Sequence, residues 1–325
     1  MIPFKKINLG RSMERIQPLI ETGMIGLGNE VFKFEKALAE YVGAKHAIAL
    51  DSCTSALFLS LKWHTKNGGI PAVERPSMTV PLVACAAIEA GFQILFDERT
   101  DWVGKYYLLR GTNIIDSAHE LRRNQYRDLI KRGEANNLTK LCFSFYPTKT
   151  IGSADGGAIA TNDDEFAAWA RTISTYGRNQ SQHYANSWDY DVIDIGYKRH
   201  YTNLQAVICQ EQLERLDQTN ARRQQITAMY NQALGYKNDS DYLFRIRVNG
   251  RDKFIEEMSR HGIECGVHFK PLHQMKPYRG INTLNREQIE KDYSQTASIP
   301  LYDLLTDDEV QTIIRATINT GRLIR

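Results

Sequence analysis

Leu141-Cys142-Phe143-Ser144-Phe145-Tyr146-Pro147-Thr148-Lys149, followed by Gly152-Ser153-Ala154-Asp155-Gly156-Gly157, is the stretch on which the fold turns. The short apolar run reads as a strand, and it delivers Lys149 into a tight loop of small residues. Such a loop can aim an amine at a carbonyl. To act as a nucleophile the amine must be neutral part of the time, through partial desolvation or a neighbouring cation. Taken alone, Lys149 reads as an ordinary solvated side chain. The segments around it point the other way.

Outward from that stretch, short apolar runs alternate with helical patterns. Residues 46–50, 92–96, 113–115, 140–143 and 157–161 read as strands. Residues 54–62 and 80–90 read as helices, and a third helix runs to about 174 with Asn162 or Asp163 as its cap. The alternation predicts an α/β domain around a mostly parallel central sheet, with ligands at the strand C-terminal ends. One long helix is then expected over 203–233. A strand (243–248), a helix (252–261), a strand (264–269) and a last helix (307–319) follow, making a smaller α+β unit. The expected domains are residues 1–202 with an N-terminal arm, a connecting helix at 203–235, and a C-terminal domain at 236–325.

The 325 residues and 42% hydrophobic content suffice for a large buried core. A net charge of +3, from 41 basic and 38 acidic side chains, gives no reason to expect nucleic acid as a partner. The basic cluster from Arg122 to Arg132 reads as a solvated helix face. Five dispersed cysteines form no CxxC pair, which argues against a structural zinc site and fits a reducing compartment. The first residues lack the apolar core of a signal peptide, and no segment is long enough to span a bilayer. A soluble, cytoplasmic protein is expected.

Three further segments carry the chemistry that a lysine Schiff base with pyridoxal phosphate (PLP) needs. Asp51-Ser52-Cys53-Thr54 stands between a strand and a helix, where backbone N–H groups and hydroxyls make a phosphate seat or, more plainly, a helix cap. Ile114-Ile115-Asp116-Ser117-Ala118-His119 ends an apolar strand in a carboxylate that can keep a pyridine nitrogen protonated, with His119 within reach of the ring's phenolic oxygen. An N-cap and a satisfied polar residue are the plainer readings of those two. Ser144 offers another hydroxyl to the phosphate. Phosphate seat, acid, serine and lysine occur in that order, each at a predicted strand end, and their joint occurrence carries the argument.

These residues resemble the DegT/DnrJ-type sugar aminotransferases, PLP enzymes of fold type I. The likeness runs from Thr22-Gly23 through Phe34-Glu35, over Tyr41 to Leu57 and Pro76-Ser77-Met78-Thr79, to Asp116-Ser117-Ala118-His119. It continues through Phe143 to Lys149 with Gly156-Gly157-Ala158, Val267-His268-Phe269-Lys270-Pro271-Leu272-His273 and Ser298-Ile299-Pro300-Leu301-Tyr302. The resemblance implies a three-layer fold type I architecture. It implies that Lys149 forms the internal aldimine and shuttles protons, that Asp116 pairs with the pyridine nitrogen, and that His119 contacts the phenolic oxygen. Ser52, Cys53, Thr54 and Ser144 would hold the phosphate, with Thr22, His268 and His273 toward the substrate. The family usually takes an amine from glutamate, yielding 2-oxoglutarate, and gives it to a nucleotide-linked keto-sugar. Its members are homodimers with active sites at the interface.

Four departures stand out. Val80 occupies the place of an aromatic that stacks on the cofactor ring. Lys198 in Gly196-Tyr197-Lys198-Arg199 replaces the asparagine that reaches the partner's phosphate. A βα unit is missing around residues 97–111, and the 234–242 segment is short. Two other readings follow: a PLP-binding regulatory homologue without turnover, and a PLP-dependent sugar dehydratase, against which Lys149 argues because such relatives carry histidine there.

Overall fold

A computed structural model describes residues 1–97, 103–178 and 190–323. The N-terminal part contains α1 (Ser12–Thr22), α2 (Asn29–Val42), β1 (His46–Leu50), α3 (Cys53–Lys66), β2 (Ala72–Arg75), α4 (Pro81–Glu89), β3 (Gln93–Phe96), β4 (Tyr107–Leu109), β5 (Ile114–Asp116), α5 (Gln125–Lys131), β6 (Lys140–Ser144), β7 (Gly157–Thr161) and α6 (Asp164–Ser174). There follow α7 (Asn203–Glu214), α8 (Leu216–Leu234), β8 (Phe244–Arg247), α9 (Arg251–Arg260), α10 (Arg286–Gln295), β9 (Thr296–Ile299) and α11 (Asp307–Leu323). No described helix is long and apolar enough to cross a membrane.

Strands β1, β7, β6, β5 and β4 form one sheet in that order. Backbone bonds between Glu74 and Arg110, 3.1 and 3.0 Å, set the parallel pair β2–β3 beside β4. Period-2 alternation sorts the strand side chains into two layers. Ala47, Ala49, Leu141, Phe143, Ala158 and Ala160 pack toward α2, α5 and α7. Ile48, Leu50, Cys142 and Ile159 pack toward α3, α4 and α6. The result is three layers, helix on sheet on helix.

The expected α/β class is present, and β1, β5, β6, β2 and β3 share one direction that β7 and β4 oppose. Within the five strands only β5 and β6 are parallel neighbours; β1 and β6 are antiparallel to β7, and β4 is antiparallel to β5. Chain length supplies the reason at β4. A parallel pair needs a crossover of about a dozen residues or more, whereas β4 and β5 are joined only by residues 110–113. There Gly111 takes φ +88° and Thr112 N–H donates to the Leu109 carbonyl at 3.1 Å. At the place where a βα unit was expected to be missing, a hairpin strand thus fills the sheet without a helix.

The C-terminal core gathers Tyr230 of α8, Phe244 and Ile246 of β8, Phe254 and Met258 of α9, and Val310 and Ile313 of α11, with Ile2 packed against it. Two expectations fail here. Residues 264–269 form no strand, contributing the Gly266–Ser298 bridge and one backbone bond from Glu264 to Ile2. The long helix breaks at Arg215, whose Nε donates to Glu211 at 3.1 Å while its guanidinium also binds the Asn8 carbonyl. The tie to the N-terminal arm coincides with the break.

A buried ion pair joins α2, β1 and α6. Glu35, 5% exposed, accepts from Ala49 N–H at 2.7 Å and from Arg171 at 2.5 Å, and Arg171 also donates to the Ala47 carbonyl at 2.7 Å. Burial pushes the Glu35 carboxyl up, and Arg171 is the main opposing influence. Arg171→Met is expected to cost about 3 kcal/mol, because it leaves a buried carboxylate unpaired. The folded protein would then bind a proton that the unfolded chain does not hold, so stability falls as pH rises through that window. Urea unfolding should show a larger deficit at pH 7.5 than at pH 5; a deficit independent of pH refutes the account.

Candidate active site

The C-terminal ends of β1, β5 and β6 meet the N-terminal ends of β7 and β4 along one edge of the sheet. Lys149 is aimed at that edge by a loop with its own bracing. Phe145 N–H donates to the Gly156 carbonyl at 2.8 Å, Ser153 N–H to Phe145 at 2.9 Å, and Lys149 N–H to Tyr146 at 2.9 Å. Gln212 of α7 grips the loop from below, accepting from Gly152 N–H at 3.0 Å and donating to its carbonyl at 2.6 Å. The amine of Lys149 lies 4.9 Å from the centre of the Tyr242 ring.

Asp116 ends β5 and is 3% exposed. Its Oδ2 accepts from the Tyr107 hydroxyl at 2.7 Å and its Oδ1 from Ala118 N–H at 3.0 Å. Burial pushes its pKa up, while Tyr107, the Ala118 N–H, Lys149 and Arg75 pull it down. His119 is buried, and its Nδ1 bonds the Val103 carbonyl. A carbonyl only accepts, so Nδ1 carries the proton; burial holds the ring well below its ordinary pKa and hence neutral. Its ring stacks on Tyr242 (4.4 Å, 20°) and lies nearly parallel to Phe269 (5.9 Å, 16°).

Ser52 caps α3, accepting from Ser55 N–H at 3.1 Å. The capping reading is therefore met, and it leaves the first amides of α3 facing the sheet edge beside half-buried Cys53 and Thr54. Burial raises the Cys53 thiol well above its usual pKa, so it is uncharged. Ser144 is half-buried and receives Tyr146 N–H at a long 3.4 Å. The donor set therefore fits PLP. It comprises a lysine amine, a buried carboxyl group, a flat neutral imidazole and a helix N-terminus with hydroxyls. Val80 caps α4 and shares an apolar cluster with Phe269.

The other candidates lie apart from this group or are already engaged. Lys198 is exposed, while its neighbour Arg199 turns inward, donating to the Ser55 hydroxyl at 3.0 Å. Thr22 is exposed at the end of α1, its hydroxyl on the Leu19 carbonyl at 3.1 Å. His273 has both ring nitrogens occupied, by Ser77 at 2.8 Å and Glu290 at 3.3 Å. His268 stacks on Phe4 at 4.9 Å and bonds Ser298 at 3.0 Å, and burial lowers its pKa to about 3. Sequence reading missed Tyr107, Tyr242, Arg75 and Lys5. A charged residue ending an apolar run directly before Pro76-Ser77 was the available signal for Arg75.

The profile of the DegT/DnrJ/EryC1/StrS aminotransferase family matches residues 9–98 and 114–317. The unmatched gap contains β4, the hairpin strand. Spore coat polysaccharide biosynthesis protein SpsC of Bacillus subtilis (strain 168) is 28% identical over 97% of this chain and 96% of its own length. GDP-perosamine synthase of Caulobacter vibrioides is 26% identical, with 91% of each chain covered. The aminotransferase TlmJ from Streptoalloteichus hindustanus superposes with a TM-score of 0.83 at 22% identity, covering 100% of both chains, and so has the same fold. With the profile matched over most of its length, the chain belongs to the DegT/DnrJ/EryC1/StrS aminotransferase family.

Proposed function

We propose that this chain uses PLP at Lys149 to move an amino group from L-glutamate to a nucleotide-linked keto-sugar. The observation that carries the reading is the convergence of Lys149, Asp116 and His119 on one sheet edge beside the N-terminus of α3. Bound there, PLP supplies an aldehyde that takes up the amino group and a ring that acts as an electron sink. Lys149 holds the cofactor and moves a proton at Nζ. Asp116 offers its remaining lone pairs to the ring nitrogen. Because His119 Nδ1 is committed to Val103, Nε2 would be the nitrogen left for the ring oxygen, and in the neutral form it would accept. Phe269 supplies aromatic surface where Val80 supplies none.

The narrow pocket beside Lys149 is lined by Lys5, Lys6, Arg215 and Arg223 against Asp303. Arg215 and Arg223 are paired with Glu211 and Asp303, and burial holds the Lys5 amine well below its ordinary pKa, so the choice of L-glutamate as donor rests on the family resemblance. A relative named GDP-perosamine synthase supports a nucleotide-linked acceptor. A homodimer belongs to the same proposal: Leu82 and Ile88 of α4, with Ile193 and Ile195 near Lys198, expose apolar surface.

Two outcomes test this. The purified protein with PLP should absorb visible light, lose that band on addition of glutamate, and regain it with 2-oxoglutarate. Lys149→Ala should show neither response; a wild-type band in that variant sinks the assignment. Asp116→Asn should keep the fold and slow transamination by at least about 100-fold, the scale of one lost electrostatic contact at a reacting centre. Nucleotide-linked 3-keto and 4-keto sugars, and the matching amino-sugars in reverse, identify the acceptor.

A further inference from the structure

Tyr107 opens β4 and stands level with Asp116, the last residue of β5, in the antiparallel register. Residues opposite each other on such a pair project from the same face. The two side chains meet there, the phenol donating to Asp116 Oδ2 at 2.7 Å. Both residues are buried, at 6% and 3% exposure, so little water competes for the bond. The Tyr107 ring shares an apolar cluster with Val103, Leu109, Ile114 and Cys142, which holds the hydroxyl in place. Beside it lies the buried Thr79 hydroxyl, 3.4 Å from that of Tyr107. A phenol has one proton to give. Tyr107 spends it on the acid, so a bond between the two hydroxyls must run from Thr79 to Tyr107. The order of donation is then Thr79 to Tyr107 to Asp116, with members drawn from the segment before α4, from β4 and from β5.

We propose that Tyr107 is a positioning residue for Asp116: its phenol, backed by the Thr79 hydroxyl, holds the acid as an oriented carboxylate at the end of β5. The inference rests on the proposed PLP chemistry, which requires an ionised partner for the ring nitrogen. Ala118 N–H occupies one lone pair of Oδ1 at 3.0 Å, and Tyr107 occupies one of Oδ2. Two donors on different oxygens fix the plane of the group, and each oxygen keeps a lone pair for a ligand. Bonds donated to a carboxylate favour its charged form, against the burial that pushes it toward the neutral one. The titratable and charged groups that act on Asp116 are Tyr107 from β4, Lys149 from the loop after β6, Cys142 from β6, Cys53 from α3 and Arg75 from β2. Arg75 is buried, with no hydrogen-bond partner for its guanidinium among the described residues. Of these five, Tyr107 is the one bonded to the acid. Burial and the neighbouring carboxyl keep it protonated, so it donates without adding a charge.

The test is NMR on apoprotein carrying ¹³C-labelled aspartate and tyrosine, with Asp116→Asn assigning the carboxyl signal. Tyr107→Phe keeps the ring in its cluster and removes the donor. It should raise the Asp116 midpoint by at least about 1 pH unit, a tenfold gain in proton affinity. A tyrosine that only fills space would leave the midpoint where it is, and that result overturns the inference. Thr79→Val should raise the midpoint by less, and should add nothing on top of Tyr107→Phe, because Thr79 acts through the phenol. Full additivity of the two changes overturns the chain of donors. If Tyr107→Phe does not fold, the unmodified protein decides. One tyrosine Cζ signal should then titrate with the Asp116 midpoint and cease to do so in Asp116→Asn; the absence of such a signal overturns the inference too. No cofactor enters the measurement. A failed aminotransferase reading appears separately, as wild-type protein whose absorbance ignores glutamate.

Discussion

The structure depends on one close approach. Gly157 opens β7 against the turn that starts α3, and a Cβ at that position would stand 2.4 Å from Cys53 N and 2.5 Å from the Ser52 carbonyl carbon. Only hydrogen fits there. Because β7 lies between β1 and β6 and is antiparallel to both, this single contact fixes the helix terminus after β1 relative to the lysine loop after β6. The proposed phosphate seat and the amine belong to different elements, and they can serve one small molecule only if the sheet holds them in register. The antiparallel strand therefore belongs to the geometry of the candidate site.

The second constraint is electrostatic. Lys149, Asp116, His119 and Arg75 share a poorly solvated region, and each answers desolvation differently. His119 stays neutral and spends its proton on a carbonyl. Asp116 collects a phenol and an amide. Cys53 stays a thiol, which keeps a negative charge away from the place where a phosphate would sit. Outside the site the same logic governs Glu35, pinned between the backbone of β1 and Arg171. Burying charge is tolerated here where each group has a designated partner, and Arg75 departs from that rule.

Lys149, Asp116 and His119 were legible in the sequence because each sits within a few residues of an apolar run, so that local pattern fixes the position at a strand end. The three layers were legible for the same reason: β6 and β7 are buried on both faces and read as continuous apolar runs. The reversed direction of β7 and β4 was not legible. Hydrophobic periodicity does not encode whether a neighbour runs parallel or antiparallel; connection length does, and residues 110–113 decide it for β4. Tyr107 was missed with it, because its contact with Asp116 follows from the reversed pairing Tyr107–Asp116 and from no spacing along the chain. Residues 264–269 alternate like a strand yet make only a bridge at Gly266 and one backbone bond from Glu264 to Ile2.

Shortening the chain between β3 and β5 therefore altered the site as well as the outline of the fold. A βα unit carried across the sheet would have placed a strand of the opposite direction next to β5. The hairpin brings β4 back from the turn, so the strand's first residue, Tyr107, lies level with the last residue of β5, Asp116. A phenol then reaches the acid directly, at 2.7 Å. The same hairpin presents Arg110 to the backbone of Glu74, which holds β2 alongside. The hairpin thus gives the acid a hydrogen-bond donor. Tyr107, which donates to the acid, lies in the stretch unmatched by the family profile, and the chemistry particular to this chain should be sought there.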